Sequence, residues 1–340
     1  DTGTLVFAPD GLQPAALSPA AGVVGSPAEG QASFVGRVDW TPQGASSEGL
    51  LKVDGLDFTS PAGAVKGLEG QVVFTSLSPL RAAPGQSLKA QSIAAMTPLT
   101  GAEVRFGIDR EAVQVEGAQV GVSGGRVTLE PFEIPLAGGV WHAAIQVDRV
   151  QLSDLVEASP FADRMDLTAR VSGRIPFAIT AEGVRIEGGD LHAVEPGKIT
   201  IRRDALTTVQ GEGGEAVAEG APAAAQAAVA NPAGAQDPYS DFVYQAMEDL
   251  AFTELSAKVA SRPEGRLGVI FHIKGEHSPP TPQAIRLTLR EILTRRFQRQ
   301  LPLPSGTKVD LTLDTSVNLD QLLSDLADYQ RLRGSRPVQP

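Results

Sequence analysis

The chain has 340 residues and a formal net charge of −11, which allows two domains and argues against nucleic acid as a partner. It contains no cysteine, so a disulfide framework, a cysteine-ligated metal and thiol catalysis are excluded, and an oxidising compartment is favoured. No apolar run reaches the roughly 18 residues that predict a membrane span. Because the sequence opens at Asp1 without methionine, we expect a mature form or a fragment whose membrane anchor would lie upstream.

Short segments in which apolar and polar residues alternate make up most of the chain. Side chains of a strand alternate between its two faces, so each segment has one apolar face. With 36 glycines and 25 prolines to separate the segments, the pattern predicts a mainly β protein whose sheet grows by successive hairpins. Almost no predicted helix covers the apolar faces, so what covers them is the functional question.

The first 150 residues are expected to form strands between glycine-rich turns. A short strand with Leu5 and Phe7 precedes a connection rich in proline, alanine and glycine that ends near residue 30. In the strands that follow, the apolar faces carry, in chain order, Ala32, Phe34, Val38 and Trp40; residues between Leu50 and Phe58; Val72 and Phe74; Val104, Phe106 and Ile108; Val113 and Val115; Val120 and Val122 beyond Gly117; Val127 and Leu129; Phe132, Ile134 and Leu136; and Trp141, Ala143, Ile145 and Val147.

Beyond residue 150 the alternation continues and then stops. Ser153 is expected to cap a brief helix that ends at Ala158. A hairpin over Ser172-Gly173 is expected to join the strands at 165–171 and 175–179, and shorter strands follow to residue 201. Residues 204–237 are nearly all alanine, glycine, glutamate and proline, which predicts a disordered insert.

The C-terminal part, 238–340, mixes helices and strands. A helix that ends at Leu250 is expected before a hairpin of strands at 255–260 and 267–273. Another strand at 285–289, a last strand at 309–313 and a closing helix from Asn318 complete the prediction. Five arginines form a local basic stretch, which indicates either the solvated face of a packed helix, the favoured interpretation, or a surface for anionic headgroups or a partner; they are Arg286, Arg290, Arg295, Arg296 and Arg299.

Motifs that suggest catalysis have simpler explanations here. Asp1-Thr2-Gly3 matches the aspartic-protease tripeptide, but no second copy supplies the partner carboxylate. Ser123 lies in a Gly-x-Ser-x-Gly pattern, but the following residues predict a strand and not the helix of a nucleophile elbow. The histidines, His142, His192, His272 and His277, do not have metal-site spacing. We therefore expect no catalytic residue, no metal and no cofactor.

A series of short motifs resembles one bacterial family. Gly67 to Phe74 (Gly-Leu-Glu-Gly-Gln-Val-Val-Phe), Leu77 to Leu80, Pro84-Gly85-Gln86 and Pro98-Leu99 are similar to the YdbH family of AsmA-like, TamB-related envelope proteins. Val171 to Pro176, Val184 to Leu191 and Pro196 to Ile199 extend the resemblance, which covers roughly 50–203 and also the strands at 255–313. The sequence departs from the family at Gly275 to Pro279, where a Gly-x-Asn-Pro turn is expected, and in the insert.

The resemblance implies a non-enzymatic, bridge-like lipid transfer protein of the periplasm that is anchored at the inner membrane by a segment outside this sequence. It implies an elongated, curved sheet, with residues 1–203 forming an open apolar groove for phospholipid acyl chains and residues 238–340 continuing it as a cap. A small outer-membrane lipoprotein of the YnbE type would add a strand at the C-terminal edge. The groove would be lined by Phe34, Val38, Trp40, Val72, Phe74, Val104, Phe106, Ile108, Val113, Val115, Val127, Leu129, Leu167, Val171, Ile175, Phe177, Ile179, Leu267, Val269, Phe271, Ile273, Val309, Leu311 and Leu313.

A second class of function stays open at the level of the sequence. In a closed β-solenoid or sandwich, the same apolar faces would be sealed, and outward polar or aromatic residues would serve envelope assembly, adhesion or polysaccharide binding. The width of the inner space distinguishes the two classes, because an open groove admits a guest and a filled core does not.

Overall fold

The computed structural model describes residues 1–17, 27–42, 44–60, 63–95, 97–157, 162, 165–180, 183–201, 215–217, 248–263, 266–281 and 305–318. These residues form mainly antiparallel strands, with two short helices, α1 (Pro14–Leu17) and α2 (Leu152–Glu157). The predicted mainly β class is confirmed, and the sheet does not close into a barrel. The chain divides into two compact units: unit 1 comprises 1–150 and 176–185, and unit 2 comprises 151–175 and 186–340.

Unit 1 is an antiparallel meander. Its strands are β1 (Thr4–Phe7), β2 (Ala28–Thr41), β3 (Gly44–Ser60), β4 (Gly63–Leu77), β5 (Leu80–Ala94), β6 (Pro98–Ile108), β7 (Ala112–Val122), β8 (Gly125–Leu129), β9 (Phe132–Pro135) and β10 (Trp141–Gln151). From β1 to β8 each strand pairs with the next, β9 returns to β7, and β10 pairs with β8. Ser123 and Gly124 both have positive φ, as a two-residue hairpin turn requires, so the Gly-x-Ser-x-Gly pattern is a turn.

Unit 2 is built around three long strands. The remaining strands of the chain are β11 (Met165–Thr168), β12 (Arg170–Thr180), β13 (Gly183–Ile186), β14 (Gly189–Ala193), β15 (Gly197–Ile201), β16 (Glu215–Val217), β17 (Leu250–Ser261), β18 (Arg266–His277) and β19 (Lys308–Asn318). β17, β18 and β19 form one antiparallel ladder. β14 and β15 both lie along β17, β12 and β11 pair with them on the far side, and β16 pairs with β19.

One local prediction and one alternative architecture differ from the structure. The hairpin over Ser172-Gly173 is wrong, because β12 runs through both residues and Gly173 pairs with Leu191. A Cβ at Gly173 would collide with the carbonyl oxygen of Asp190, so this glycine permits a close strand approach and not a turn. The closed-solenoid alternative is also wrong, since the sheet is open and its strands are joined antiparallel.

Other predictions fall partly or wholly outside the described residues. The helix predicted from Pro238 to Leu250 lies outside the described residues over 238–247, and Leu250 itself begins β17. The strand at 285–289, the arginine-rich stretch and the closing helix beyond Asn318 also lie outside, and Asn318 ends β19. Within the predicted insert, three residues form β16. In the part of the chain that the structure describes, no helix combines the length and apolar composition needed to cross a membrane.

Candidate functional site

One row of facing apolar residues crosses nine strands of unit 1. Residues that pair directly across an antiparallel ladder project from the same face of the sheet. Following the pairs from β1 through β8 to β10 therefore traces a single line of side chains, and every position is aliphatic or glycine: Leu5, Ala32, Val53, Gly70, Leu88, Val104, Ala118, Leu129 and Ile145.

Parallel rows on the same face are also apolar. On one side of the first row, paired residues run from β2 to β7, and on the other side they run from β4 to β9. The first of these rows contains Ala28, Phe58, Val65, Ile93, Leu99 and Val122, and the second contains Phe74, Ala82, Ile108, Val113 and Ile134. This surface is the apolar face of unit 1.

The opposite face of the same strands is largely polar, apart from a short row of Val35, Leu50 and Val73 on β2 to β4. One row there contains Thr4, Ser33, Lys52, Gln71, Ser87 and Arg105, and another contains Glu69, Lys89, Glu103, Gln119, Thr128 and Gln146. Side chains of this face bond to one another, as when Gln119 Nε2 donates to Glu103 Oε2 over 3.3 Å. The polar face of unit 1 is therefore suited to contact with water, and the apolar face is not.

A cavity of about 460 Å³ lies on the apolar face. Its wall comes from six successive strands, β3 to β8. The volume is within the usual range for a small-molecule site, roughly 300–1,000 Å³. The cavity is partly open, and its lining is aliphatic apart from Phe58, Glu103 and Gln119: Phe58, Val65, Leu68, Leu88, Ala90, Ile93, Ala102, Glu103, Val104, Ala118, Gln119, Val120, Val127 and Leu129.

Aromatic rings gather at another place in unit 1. The ring of Trp141 on β10 stacks on Phe132 of β9, with centroids 5.0 Å apart, and meets Phe177 of β12 edge-on at 6.3 Å. Trp141 shares a face with Ile145, four residues along the same strand, so this ring belongs to the apolar face. The three rings, the aromatic trio, give that face a rigid edge with large apolar area.

The charged groups with shifted pKa lie at turns and bulges or in outward ion pairs. The Lys66 ammonium and the Gly67 amide, each 2.7 Å from the carboxylate, lower the pKa of Asp57, and the same contact raises the pKa of Lys66. The amides of Glu111 and Ala112 likewise lower the pKa of Asp109 in the turn between β6 and β7. Asp57 therefore fixes the bulge beside Leu56 and Leu68 and contributes no charge to the cavity wall.

The structure places the predicted lining residues of β2 to β8 on the apolar face. Val104, Val127 and Leu129 line the cavity, and the ring of Phe34 lies 6.5 Å from Phe74 at the β2 side. Val38 and Trp40 continue β2 towards the hairpin end, where they are 45% and 81% exposed. Of the remaining residues of this group, Ile108 and Val113 lie in the row that contains Phe74. Val72 pairs with Leu51, and Phe106 pairs with Gln86 and Val115, between these rows.

The predicted lining residues of unit 2 have a different environment. Leu167, Ile273, Val309 and Leu311 are buried in a cluster with Ala169, Ile199, Leu250, Phe252 and Leu255, and Phe271 packs against it. Val171 is also buried, and Leu267, Val269 and Ile175 are half-buried. In unit 1, Phe177 joins the aromatic trio and Ile179 is half-buried, whereas the side chain of Leu313 lies outside the described residues. The chain itself therefore fills this part of unit 2.

Sequence reasoning missed much of the cavity wall. Strand β5 was not predicted, yet it supplies Leu88, Ala90 and Ile93. Its alternation of Ser87, Leu88, Lys89 and Ala90 is a usable signal, although alanine is a weak marker of an apolar face. Leu68, Ala102 and Ala118 are adjacent to glycines whose bulges shift the side-chain period, so a simple period of two does not find them.

Together these features define a class: a mainly β protein with an open antiparallel sheet, one face of which is apolar across many strands. The chain belongs to the YdbH-like family, whose model, described as intermembrane phospholipid transport protein YdbH, matches residues 1–218. The resemblance drawn from the motifs is thereby confirmed. Membership of this family indicates phospholipid transport, lipid binding and an envelope location. The family consists of lipid transport proteins and is not known as an enzyme family. Searches of curated proteins and of solved structures gave no match.

Proposed function

We propose that the chain is a non-enzymatic, bridge-like lipid transfer protein of the periplasm. Unit 1 binds phospholipid acyl chains on its apolar face while the headgroups stay in water, and lipid moves along the rows between the inner and outer membranes. The observation that carries this proposal is the unbroken apolar row from Leu5 to Ile145, backed by a polar row on the opposite face.

The physical scale of the apolar face suits an acyl chain. Nine strands are separated by eight steps of about 4.8 Å, which gives a row about 38 Å long. Exposure of a 16-carbon acyl chain to water costs about 13 kcal/mol of free energy relative to its burial, at ~0.8 kcal/mol per methylene. A continuous aliphatic surface recovers much of this free energy at every position, so the lipid meets no polar interruption along the row.

We assign unit 2 a different role, as a cap and a docking platform. Its buried cluster leaves little room for a guest among the residues of that cluster. β19 is an edge strand on which β16 covers Thr312 to Asp314, and the rest of its length offers unpaired backbone groups in the described part of the chain. A small outer-membrane lipoprotein would add a strand here, and an anchor outside this sequence would hold the inner-membrane end.

Native mass spectrometry tests the proposal. Protein purified gently should carry phospholipid, and delipidated protein should take up phospholipid from vesicles of phosphatidylethanolamine and phosphatidylglycerol. The cavity wall provides the reason, because its exposed surface is almost wholly apolar and its two polar lining residues, Glu103 and Gln119, belong to rows of the polar face, so the wall favours an alkyl chain over a sugar or a peptide. Protein that is lipid-free after gentle purification, and that takes up none from vesicles, would refute the proposal.

A further inference from the structure

The apolar face of unit 1 is covered by the chain at its β1 side. Residues 8–17, which include α1 and are called the strap, follow β1 and fold over this face. Leu12 of the strap packs against a cluster of Phe7, Ala28 and Leu56. Leu56 is only 4% exposed, whereas Val120 and Val127, on strands farther along the sheet, are half-buried and line the cavity. The same face is therefore covered by Leu12 of the strap at its β1 side, and farther along it forms the wall of a partly open cavity.

The surface beneath the strap is continuous with the cavity wall. Phe58 and Leu68 pack against the covered cluster and also line the cavity. Leu56 faces Leu68 directly across β3 and β4. An alkyl chain that extends from the cavity towards β1 would therefore meet the side chain of Leu12 on a surface of the same aliphatic kind.

The strap is fastened by one amide side chain. Gln13 Oε1 accepts the N–H of Ala28 at 2.8 Å, and Gln13 Nε2 donates to the Ala28 carbonyl at 3.0 Å. The same Nε2 donates to the Ala8 carbonyl at 2.6 Å, which ties the strap to itself. Because Ala28 is 0% exposed, both of its backbone groups need a partner while the strap is closed, and water can serve only when it opens.

We infer that the strap covers a further part of the lipid-binding face, and that a phospholipid acyl chain displaces Leu12 to occupy the surface of Val53, Leu56, Phe58 and Leu68. This inference rests on the proposed function of unit 1. Leu12 occupies this position as a placeholder, so the apolar surface stays out of water when no lipid is bound. The two hydrogen bonds between Gln13 and Ala28, called the Gln13 clamp, set how readily the strap opens. Without the clamp, the backbone N–H and carbonyl of Ala28 lack hydrogen-bond partners only when the strap is closed. Loss of the clamp therefore shifts the equilibrium towards the open state.

Photocrosslinking from the lipid tests this inference. The probe is a phosphatidylglycerol with a diazirine on one acyl chain, in vesicles of phosphatidylethanolamine and phosphatidylglycerol, and mass spectrometry compares labelling of residues 53–58 with labelling of 118–129. In the wild type, label should concentrate at 118–129. Gln13→Ala should raise the ratio of 53–58 to 118–129 at least about fivefold, and Leu12→Ser should change it in the same direction by removing the placeholder.

The control is Gln146→Ala, which makes the same chemical change on the polar face. Gln146 Nε2 donates to Glu130 Oε1 over 2.6 Å. This variant should keep the wild-type labelling ratio. Labelling at 118–129 in every variant reports a folded cavity. A ratio that neither Gln13→Ala nor Leu12→Ser changes, with 118–129 still labelled, overturns the strap inference alone. Equal labelling of both stretches in the wild type also overturns it. No labelling of 118–129 in the wild type refutes the proposed function as well.

Discussion

Val127→Asp should reduce the phospholipid retained by the protein at least about tenfold, because a carboxylate in the acyl path costs several kcal/mol to desolvate and each 1.4 kcal/mol is a factor of ten. Val127 lies on β8 in the cavity wall and is half-buried. In the empty cavity the new carboxylate can stay hydrated, so the sheet should fold normally. Phosphate analysis of gently purified protein measures the retained lipid, and circular dichroism checks the fold.

Thr128→Asp is the matched control for this prediction. Thr128 is the next residue on the same strand and projects from the polar face, where it pairs with Gln119 and Gln146. The control introduces the same charge at almost the same place without entering the acyl path. Retention of lipid should therefore be unchanged. Equal loss of lipid in both variants, or no loss in Val127→Asp, would contradict the assignment of the two faces.

Phe252→Ala should cost about 3–5 kcal/mol of unfolding free energy for unit 2, as expected for a large aromatic removed from a packed core. Phe252 is 1% exposed and lies in the cluster with Leu250 and Ile273. A Cβ at Gly197 would lie 2.5 Å from its ring, which indicates how closely the backbone approaches. Urea unfolding followed by hydrogen exchange in β17 and β18 measures the loss.

Phe271→Ala is the matched control, since Phe271 packs against the same cluster but is only half-buried. Its loss should be less than about 2 kcal/mol, because less apolar surface is removed. Lipid retention by unit 1 should survive both substitutions. The opposite result for Phe252→Ala, little loss of stability together with loss of bound lipid, would mean that this part of unit 2 lines the lipid path and is not a filled core.

The alternation of apolar and polar residues predicts the apolar face of unit 1 well, because each strand there has one side that faces water. The pattern even survives the bulge at Gly117, where Val115 and Ala118 come to the same face by pairing with Phe106 and Val104. Such a bulge is signalled in the sequence by glycine within an alternating run. The family resemblance then supplied what a single face cannot, namely which kind of guest an apolar surface of this length would hold.

The state of that face, covered or open, depends on contacts that are remote in sequence. Alternation gives Leu311 and Val104 the same apolar signal, yet Leu311 is buried in the unit 2 cluster and Val104 lines a cavity. Phe252 was missed because the residues before it have helical spacing, whereas Leu250 and Phe252 alternate in β17. Nothing local in residues 8–17 shows that Leu12 will pack over Leu56, because burial is set by tertiary packing and not by the period of the chain.

Fluorescence quenching tests most directly whether acyl chains lie on the apolar face. The chain has two tryptophans, so Trp40→Phe leaves Trp141 of the aromatic trio as the sole reporter, and Trp141→Phe leaves the exposed Trp40. Each variant is loaded with phospholipid whose acyl chains carry bromine, a short-range quencher, and is then separated from vesicles. We predict strong quenching of Trp141 and weaker quenching of Trp40, because Trp40 lies on the same face but at the hairpin end of β2, where it is 81% exposed and few acyl chains would cover it. Undiminished emission from Trp141 in protein that demonstrably holds the brominated lipid would contradict the account.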